Sequence, residues 1–481
     1  MKETPSLSIG REALLAVGSK ALMAGIGFGG ILIFANLLGD TGLGEYKTVM
    51  AAAFVLTQIP AGVATAVKKR VSEVDIDPPG FLGAGLLVHG AFSLLVLLAF
   101  VAFQPWLVGY FGSVQLAYGV VAIVVTLGFF NVTNRLYSGI GYPALSSWMD
   151  SIRSVLTFVL QLVGIWWGLE SFGLVAGLAV ATAITGVISA VAARVRPAIP
   201  TVETARHVYD FARWSVPNSL LTNLYASADV LIIRAFVGAG AVGVYTVAQQ
   251  LAMPAAMFAG SIRDALSVKS SGVDSQGGEV RADLENTLSY TGLIAIPLFF
   301  GALAIPGALL AIFGETFTGA PVLAVAGLAL FQVFNVYRLP FEAVIEGTDR
   351  PGIIFRVNVG ILLVHLPLAV GLGYTVGLLG VILSTVLAEG TRVVVYQYVA
   401  HREYGGVVLT RPMAEQVLAG ALMFVVVEAL TRYVVSITNW VWLVVVVGIG
   451  AAVYFLALLG LSRHFRETLR HTLPMLEPRE T

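Results

Sequence analysis

Apolar stretches of about twenty residues recur along the whole chain, each ended by a short polar or glycine-containing break. A helix needs about 20 apolar residues to cross the hydrocarbon core of a bilayer. That ruler predicts fourteen spans: 12–37, 46–66, 81–104, 115–137, 144–168, 172–194, 210–236, 241–264, 287–313, 319–343, 353–373, 376–400, 413–434 and 438–462. The polar start, Met1 to Arg11, runs into the first span without a small-residue cleavage site, so that span is expected to be a retained helix. Two inner connections are long. Residues 195–209, with Pro197 and Pro200, read as a linker, and 265–286 as a polar, mobile connection. No separate soluble domain is expected.

Composition agrees with that pattern. Of the 481 residues, 57% are hydrophobic and 12% charged, where a soluble protein carries about 25% charged. A soluble domain cannot cover its surface with so little charge, which excludes a cytoplasmic enzyme, a nucleic-acid binder and a disordered scaffold. The absence of cysteine excludes disulfides, thiolate metal sites and cysteine nucleophiles. The six His are scattered without metal-ligand spacing, so no metal or cofactor is expected. Lys plus Arg (28) equals Asp plus Glu (28), and only the positions inform. With the loops numbered in order, every basic residue except Lys47, Arg234 and Arg432 falls on an even-numbered loop or a tail. Basic residues accumulate on the cytoplasmic side. Both termini are therefore expected in the cytoplasm, in a multi-pass protein of the cell membrane.

An internal repeat organises the spans. Leu38-Gly39-Asp40-Thr41-Gly42-Leu43-Gly44-Glu45-Tyr46 ends the first span, and Val237-Gly238-Ala239-Gly240-Ala241-Val242-Gly243-Val244-Tyr245 ends the seventh. Gly39, Gly44 and Tyr46 align with Gly238, Gly243 and Tyr245 at one offset, 199. Gly139–Pro143 and Gly347–Pro351 echo each other at an offset of 208. Six spans per unit restore the same orientation, so the expected fold is an all-α polytopic membrane protein of two parallel six-helix repeats plus two C-terminal helices. The lobes are expected at 1–195 and 210–402, joined by 196–209, with 413–481 forming the two extra helices and a cytoplasmic tail. Two facing bundles imply a midplane cavity and alternating access.

This arrangement resembles the polysaccharide flippase branch of the multidrug/oligosaccharidyl-lipid/polysaccharide exporter superfamily. The resemblance rests on the six-plus-six-plus-two spans and on Leu38-Gly39 followed by Gly44-Glu45-Tyr46. It rests also on Ala228-Asp229-Val230-Leu231-Ile232-Ile233-Arg234 running into Gly238 and Gly243-Val244-Tyr245. The family often carries Arg near the end of the first span, where this chain has Asn36. The resemblance implies translocation of an isoprenoid-linked glycan across the cytoplasmic membrane.

Charge within a span costs about 2.5–3.5 kcal/mol on insertion scales, so each instance needs a partner, an interface or a task. Asp229 and Arg234 are five apart, some 140° from eclipsed on a helix, and are not expected to pair. Arg234 either reaches the outer interface along its stem or meets a phosphate; Asp229 either pairs with a basic group from another helix or carries a coupling proton. Lys20 either lines the cytoplasmic part of the cavity or reaches the inner interface. Asn36, Asn223 and Gln249 add polar surface to the candidate substrate site. Arg135 and Arg338 stand at similar points of the two repeats, with structural partners expected in Asp150 or Glu342. Glu342 and Glu346 share a helix face and suit a proton or Na⁺, or an ion-paired helix end beside Arg338 and Arg350. Glu389 and Arg392 are spaced to pair with each other.

Three functions compete. A flippase for a phosphate- or pyrophosphate-linked glycan needs a basic, hydrated cavity. A multidrug exporter coupled to H⁺ or Na⁺ needs acidic and aromatic lining. A membrane glycosyltransferase needs sizeable outer loops bearing acids, and this chain has none, so no enzyme is expected.

Overall fold

A computed structural model of the protein describes residues 9–73, 78–275, 280–403, 405–406 and 408–476, with the side chains of 9–22, 222, 274–275 and 471–476 outside that description. Among the described residues the regular structure is helical. The order is α1 (Ile9–Val71), α2 (Pro78–Ala102), α3 (Gln104–Phe111), α4 (Val114–Gly139), α5 (Pro143–Trp166), α6 (Glu170–Ala192), α7 (Val202–Phe236) and α8 (Ala239–Ser275). There follow α9 (Arg281–Ala304), α10 (Pro306–Ala311), α11 (Val322–Gly347), α12 (Pro351–Val376), α13 (Leu378–Glu403), α14 (Arg411–Tyr433), α15 (Trp440–Leu461) and α16 (Arg463–Leu476). Eleven of the described helices are long and apolar enough to cross a membrane. The protein is an all-α, multi-pass membrane protein.

Two short breaks are set by glycine. Inside α1 the backbone leaves the helical region at Gly39 (φ 69°, ψ −171°), and α7 gives way to α8 through Gly238 (φ 123°). Left-handed φ strains any residue with a Cβ, which is why glycine holds both positions. The helix resumes at once after Gly39, with the Asp40 carboxylate accepting the Thr41 N–H at 2.7 Å.

The chain forms two compact units, residues 1–243 and 244–481. In the first, α1 packs on α4 and α7, and α5 on α6. Lipid tails are as apolar as leucine, so helices in a bilayer associate through close packing rather than water exclusion, and small residues permit it. Gly164 and Gly173 bring α5 and α6 together, each within 2.8 Å of where the other's Cβ would sit. The Ser215 hydroxyl of α7 donates to the Gly62 carbonyl of α1 at 2.9 Å. In the second unit α11 packs between α9 and α13, and α14 lies on α9 and α15. The Gln416 amide of α14 donates to the Ser289 carbonyl of α9 at 2.7 Å, next to Gly292.

Helices outrun several predicted spans. Of the expected linker 196–209, residues from Val202 onward are the first turns of α7, capped by the Thr201 hydroxyl, which accepts the Thr204 N–H at 3.1 Å. Of the expected mobile connection 265–286, residues to 275 continue α8 and residues from 281 begin α9; 276–279 lie outside the described residues. The ruler measures apolar length only, whereas a helix continues wherever polar side chains find partners. Lys269 and Asp283 do so at 2.6 Å and Arg281 and Glu285 at 2.8 Å. The predicted ninth span, 287–313, is likewise divided, because Pro306 starts a new helix, α10.

Candidate functional site: a basic cavity and a charge network

The first unit holds a half-open cavity of about 250 Å³ between α1, α5 and α6. On α1 the spacing 47, 50, 54 puts Lys47, Met50 and Phe54 on one face. On α5, Arg153, Thr157 and Gln161 recur every four residues and form a polar stripe toward the same space. Lys47 is half-buried, with its ammonium 5.9 Å from the centre of the Tyr46 ring. Arg153 lies 5.1 Å from the Phe130 ring centre and reaches Asp150 with Nη2 at 3.4 Å. Gln161 donates to the Tyr46 hydroxyl at 2.8 Å and to the Leu174 carbonyl at 3.0 Å, which fixes α5 against α1 and α6. No carboxylate of the described residues lines this cavity.

The glycine breaks meet each other within the same unit. A Cβ on Gly44 would overlap the Ala239 carbonyl oxygen and lie 2.6 Å from its carbon, and one on Gly243 would overlap the Asp40 carbonyl oxygen and lie 2.7 Å from its carbon. Asp40 and Ala239, like Gly44 and Gly243, are separated by the repeat offset of 199. Each glycine thus packs on the repeat-mate of the residue four positions before it. Such reciprocity is the signature of a local two-fold arrangement.

In the second unit a charge network occupies the space between α11 and α13. Arg338 pairs with both Glu342 and Glu389, and Glu389 also meets Arg392 at 3.2 Å. Asn335 accepts from Arg338 at 2.6 Å, and the Tyr396 hydroxyl donates to Glu342 at 3.0 Å. Two cations face two carboxylates, and Glu389 is 1% exposed.

Known proteins resemble this chain in sequence and in fold. Residues 86–321 match the family described as "Polysaccharide biosynthesis protein". A probable flippase of Haloferax volcanii, AglR, is 25% identical over 467 residues, 93% of this chain and 95% of its own. The lipid II flippase MurJ in an inward closed conformation superposes with a TM-score of 0.73 at 17% identity, over 95% of this chain and all of that one. In these matches the chain resembles the polysaccharide flippase branch of the exporter superfamily. A multidrug-resistance transporter of the MATE family, inward-facing, superposes less closely, with a TM-score of 0.62 at 16% identity over 86% of this chain and 96% of that one.

Within the chain the predicted residues fall in separate places. Arg234, at the end of α7, donates through Nε to the Tyr110 carbonyl at 2.7 Å, and the Tyr110 hydroxyl donates back to the Leu231 carbonyl at 2.8 Å. Asp229 is buried at 4% exposure. Asn36 is exposed and donates to the Leu32 carbonyl of its own helix at 2.9 Å. Asn223 does the same with Ser219 at 3.1 Å, and Gln249 is exposed. Lys20 belongs to α1, but its side chain lies outside the described residues. Arg135 donates to the Thr65 hydroxyl, while Asp150 receives Asn134 at 3.3 Å and Arg153 at 3.4 Å. The expected pairs Arg338–Glu342 and Glu389–Arg392 are both present, but in one network. Glu346 is bound instead by Arg263 at 2.7 Å, and Arg350 by Glu403. The cavity residues Lys47 and Arg153 are not among the site residues that the sequence pattern predicts. Lys47 reads as the charge of an outer turn, yet it is the first of a three-residue helical stripe of lining side chains, Lys47, Met50 and Phe54; the four-residue recurrence Arg153, Thr157, Gln161 is the legible signal on α5.

Proposed function

We propose that this protein translocates an isoprenoid-linked oligosaccharide or polysaccharide precursor, held by its phosphate or pyrophosphate, across the cytoplasmic membrane by alternating access, with no chemical step. The reciprocal packing of Gly44 on Ala239 and Gly243 on Asp40 carries the transport mechanism. Repeat-related helix starts that meet backbone to backbone form a closure that opens when they part. AglR, whose printed name calls it a probable flippase, supports the cargo class. The multidrug alternative is disfavoured by the cavity of the first unit, which presents two cations and no described carboxylate to a cationic drug.

Fourteen spans remain the preferred count. Gly39 divides α1 in two, and α7 and α8, at 35 and 37 residues, are long enough to cross although more polar. Lobes at 1–195 and 210–402, with 413–481 outside the repeat, keep both termini cytoplasmic. Tags at either terminus and at 270–278 are expected to report cytoplasmic, and tags near 240 and 315 external. A cytoplasmic report from 240 would overturn this layout.

The direct test is complementation of a strain lacking its glycan flippase, scored by glycan at the outer surface. The wild-type chain restores export under this reading; restored drug resistance without glycan export favours the multidrug reading. In this assay Arg234→Ala is expected to lower export by roughly ten- to a hundredfold, the worth of one charge-assisted hydrogen bond of about 1.5–3 kcal/mol. Asp229→Asn keeps the shape and removes the charge. Wild-type export by both variants would restrict these residues to packing. Whether Glu342 and Arg338 serve H⁺ or Na⁺ coupling is tested in the same assay by the dependence of export on each gradient.

A further inference from the structure

Beyond its last apolar helix the chain forms a helix of a different kind. Ser462 alone separates α15 from α16, and its hydroxyl accepts the Phe465 N–H at 3.2 Å as the new helix starts. α15 is long and apolar enough to cross a membrane. α16 has 14 residues, among them Arg463, Arg466, Glu467 and Arg470. That is about 21 Å of helix, too short and too polar to cross a hydrocarbon core of about 30 Å. It therefore starts at the membrane surface where α15 ends.

Contacts with the second unit keep α16 at that level. The Phe465 ring stacks on Phe455 of α15 at 6.3 Å between centres, and the His464 ring on Tyr290 of α9 at 5.0 Å. The Thr468 and Tyr290 hydroxyls share a hydrogen bond. Arg466 turns back and donates through Nη1 to the Leu459 and Gly460 carbonyls at 2.6 and 2.9 Å, where the end of a helix leaves carbonyls without partners.

Residues 464, 465 and 468 thus make the face of α16 toward the bundle. Arg463, Glu467 and Arg470, four and three positions apart, share the other face and are exposed. Among the described residues neither Arg463 nor Arg470 is ion-paired. Between the two faces Leu469 is 40% exposed, and the sequence continues with Leu473 and Leu476 at helical spacing. An open leucine edge beside a basic face can dip among lipid headgroups and favours acidic ones.

We propose that α16 is an interfacial helix whose Arg463, Leu469 and Arg470 bind acidic phospholipids at the surface where α15 leaves the membrane. The two arginines meet headgroup phosphates, and Leu469 enters the acyl boundary. Arg466, Phe465 and Thr468 stay on the protein, so the lipid surface braces α9 and α15 through α16. This interaction needs only that the chain spans a membrane, and it goes beyond the transport reading.

The test is hydrogen–deuterium exchange across 463–470 in the purified full-length protein, one copy per nanodisc, in phosphatidylcholine alone or mixed with phosphatidylglycerol. Phosphatidylglycerol is expected to slow exchange roughly tenfold or more, because each basic residue near an acidic surface is worth about fivefold. Added salt should reverse the gain. Arg463→Gln with Arg470→Gln is expected to remove the lipid dependence, and both side chains are exposed, so the fold is kept. Arg463→Lys with Arg470→Lys keeps the charge and is expected to keep the dependence. Equal exchange of the wild-type protein in the two lipids, or a lipid dependence that survives loss of both arginines, would overturn the proposal. Exchange that slows with a second copy per nanodisc and not with phosphatidylglycerol would make another copy of the chain the occupant, and would overturn it as well.

Discussion

Gly44→Val is expected to abolish export while the protein still inserts in the membrane. The added Cβ would overlap a backbone carbonyl, that of Ala239, and backbone cannot swing aside as a side chain does. Overpacking typically costs about 1–3 kcal/mol, which displaces a two-state equilibrium by a factor of about 5 to 150 against the form in which the contact exists. Further methyl groups on the valine raise the cost. Gly243→Val should give the same phenotype from the other side of the contact, through the Asp40 carbonyl. Gly301→Val is the control, because a Cβ there meets nothing within 4 Å. The measurement is surface glycan per unit of inserted protein. Export at the wild-type rate by both glycine variants would mean that these helix starts never need to meet during transport.

Glu389→Gln is expected to be the most destabilising single change in the second unit. The substitution keeps the shape but leaves Arg338 and Arg392 facing one carboxylate, Glu342. Breaking a buried ion pair by removing one partner costs about 3–5 kcal/mol, because a charge is left buried without compensation. The loss should appear as a lower thermal-unfolding midpoint in detergent. Adding Arg392→Gln to make the double variant restores electrical neutrality and should recover a substantial part of the loss. A Glu389→Gln protein as stable as wild type would show that water reaches the network.

Helix positions were largely legible in the chain, and particular helices show why. The predicted spans at 144–168, 172–194, 353–373 and 438–462 lie within a few residues of α5, α6, α12 and α15. Each of these helices is bounded by a proline, a glycine-containing turn or an asparagine cap that acts on its own neighbours. Pro143 and Pro351 begin their helices, and Asn439 accepts the Val441 and Trp442 N–H groups at 3.0 and 3.1 Å. Helix ends continuing into water were not legible, as α7 and α8 show, because they depend on polar partners and not on apolar length.

The sites were legible only in fragments. Glu389–Arg392 is a three-residue spacing on one helix and could be read directly, but its link to Arg338 joins positions 51 residues apart on another helix. Arg234 stood out by its place near a helix end, while its partner, the Tyr110 carbonyl, lies 124 residues away. Lys47 looked like a turn residue because the Gly39 break is a single residue long and the helix restarts immediately.

The amino-acid sequence alone determined the solvent, the helical class of the secondary structure and the repeat offset. A bilayer requires every backbone group to be satisfied within its own segment, so apolar length translates into helices without reference to other helices. The offset of 199 between Gly39, Gly44, Tyr46 and Gly238, Gly243, Tyr245 was written in the chain. Only the tertiary structure decided that Gly44 and Gly243 pack reciprocally, that Lys47 and Arg153 share one cavity without a described carboxylate, and that four charges of the second unit form one network. Those facts depend on which helix faces become neighbours, and that choice is made by close packing between segments far apart in sequence.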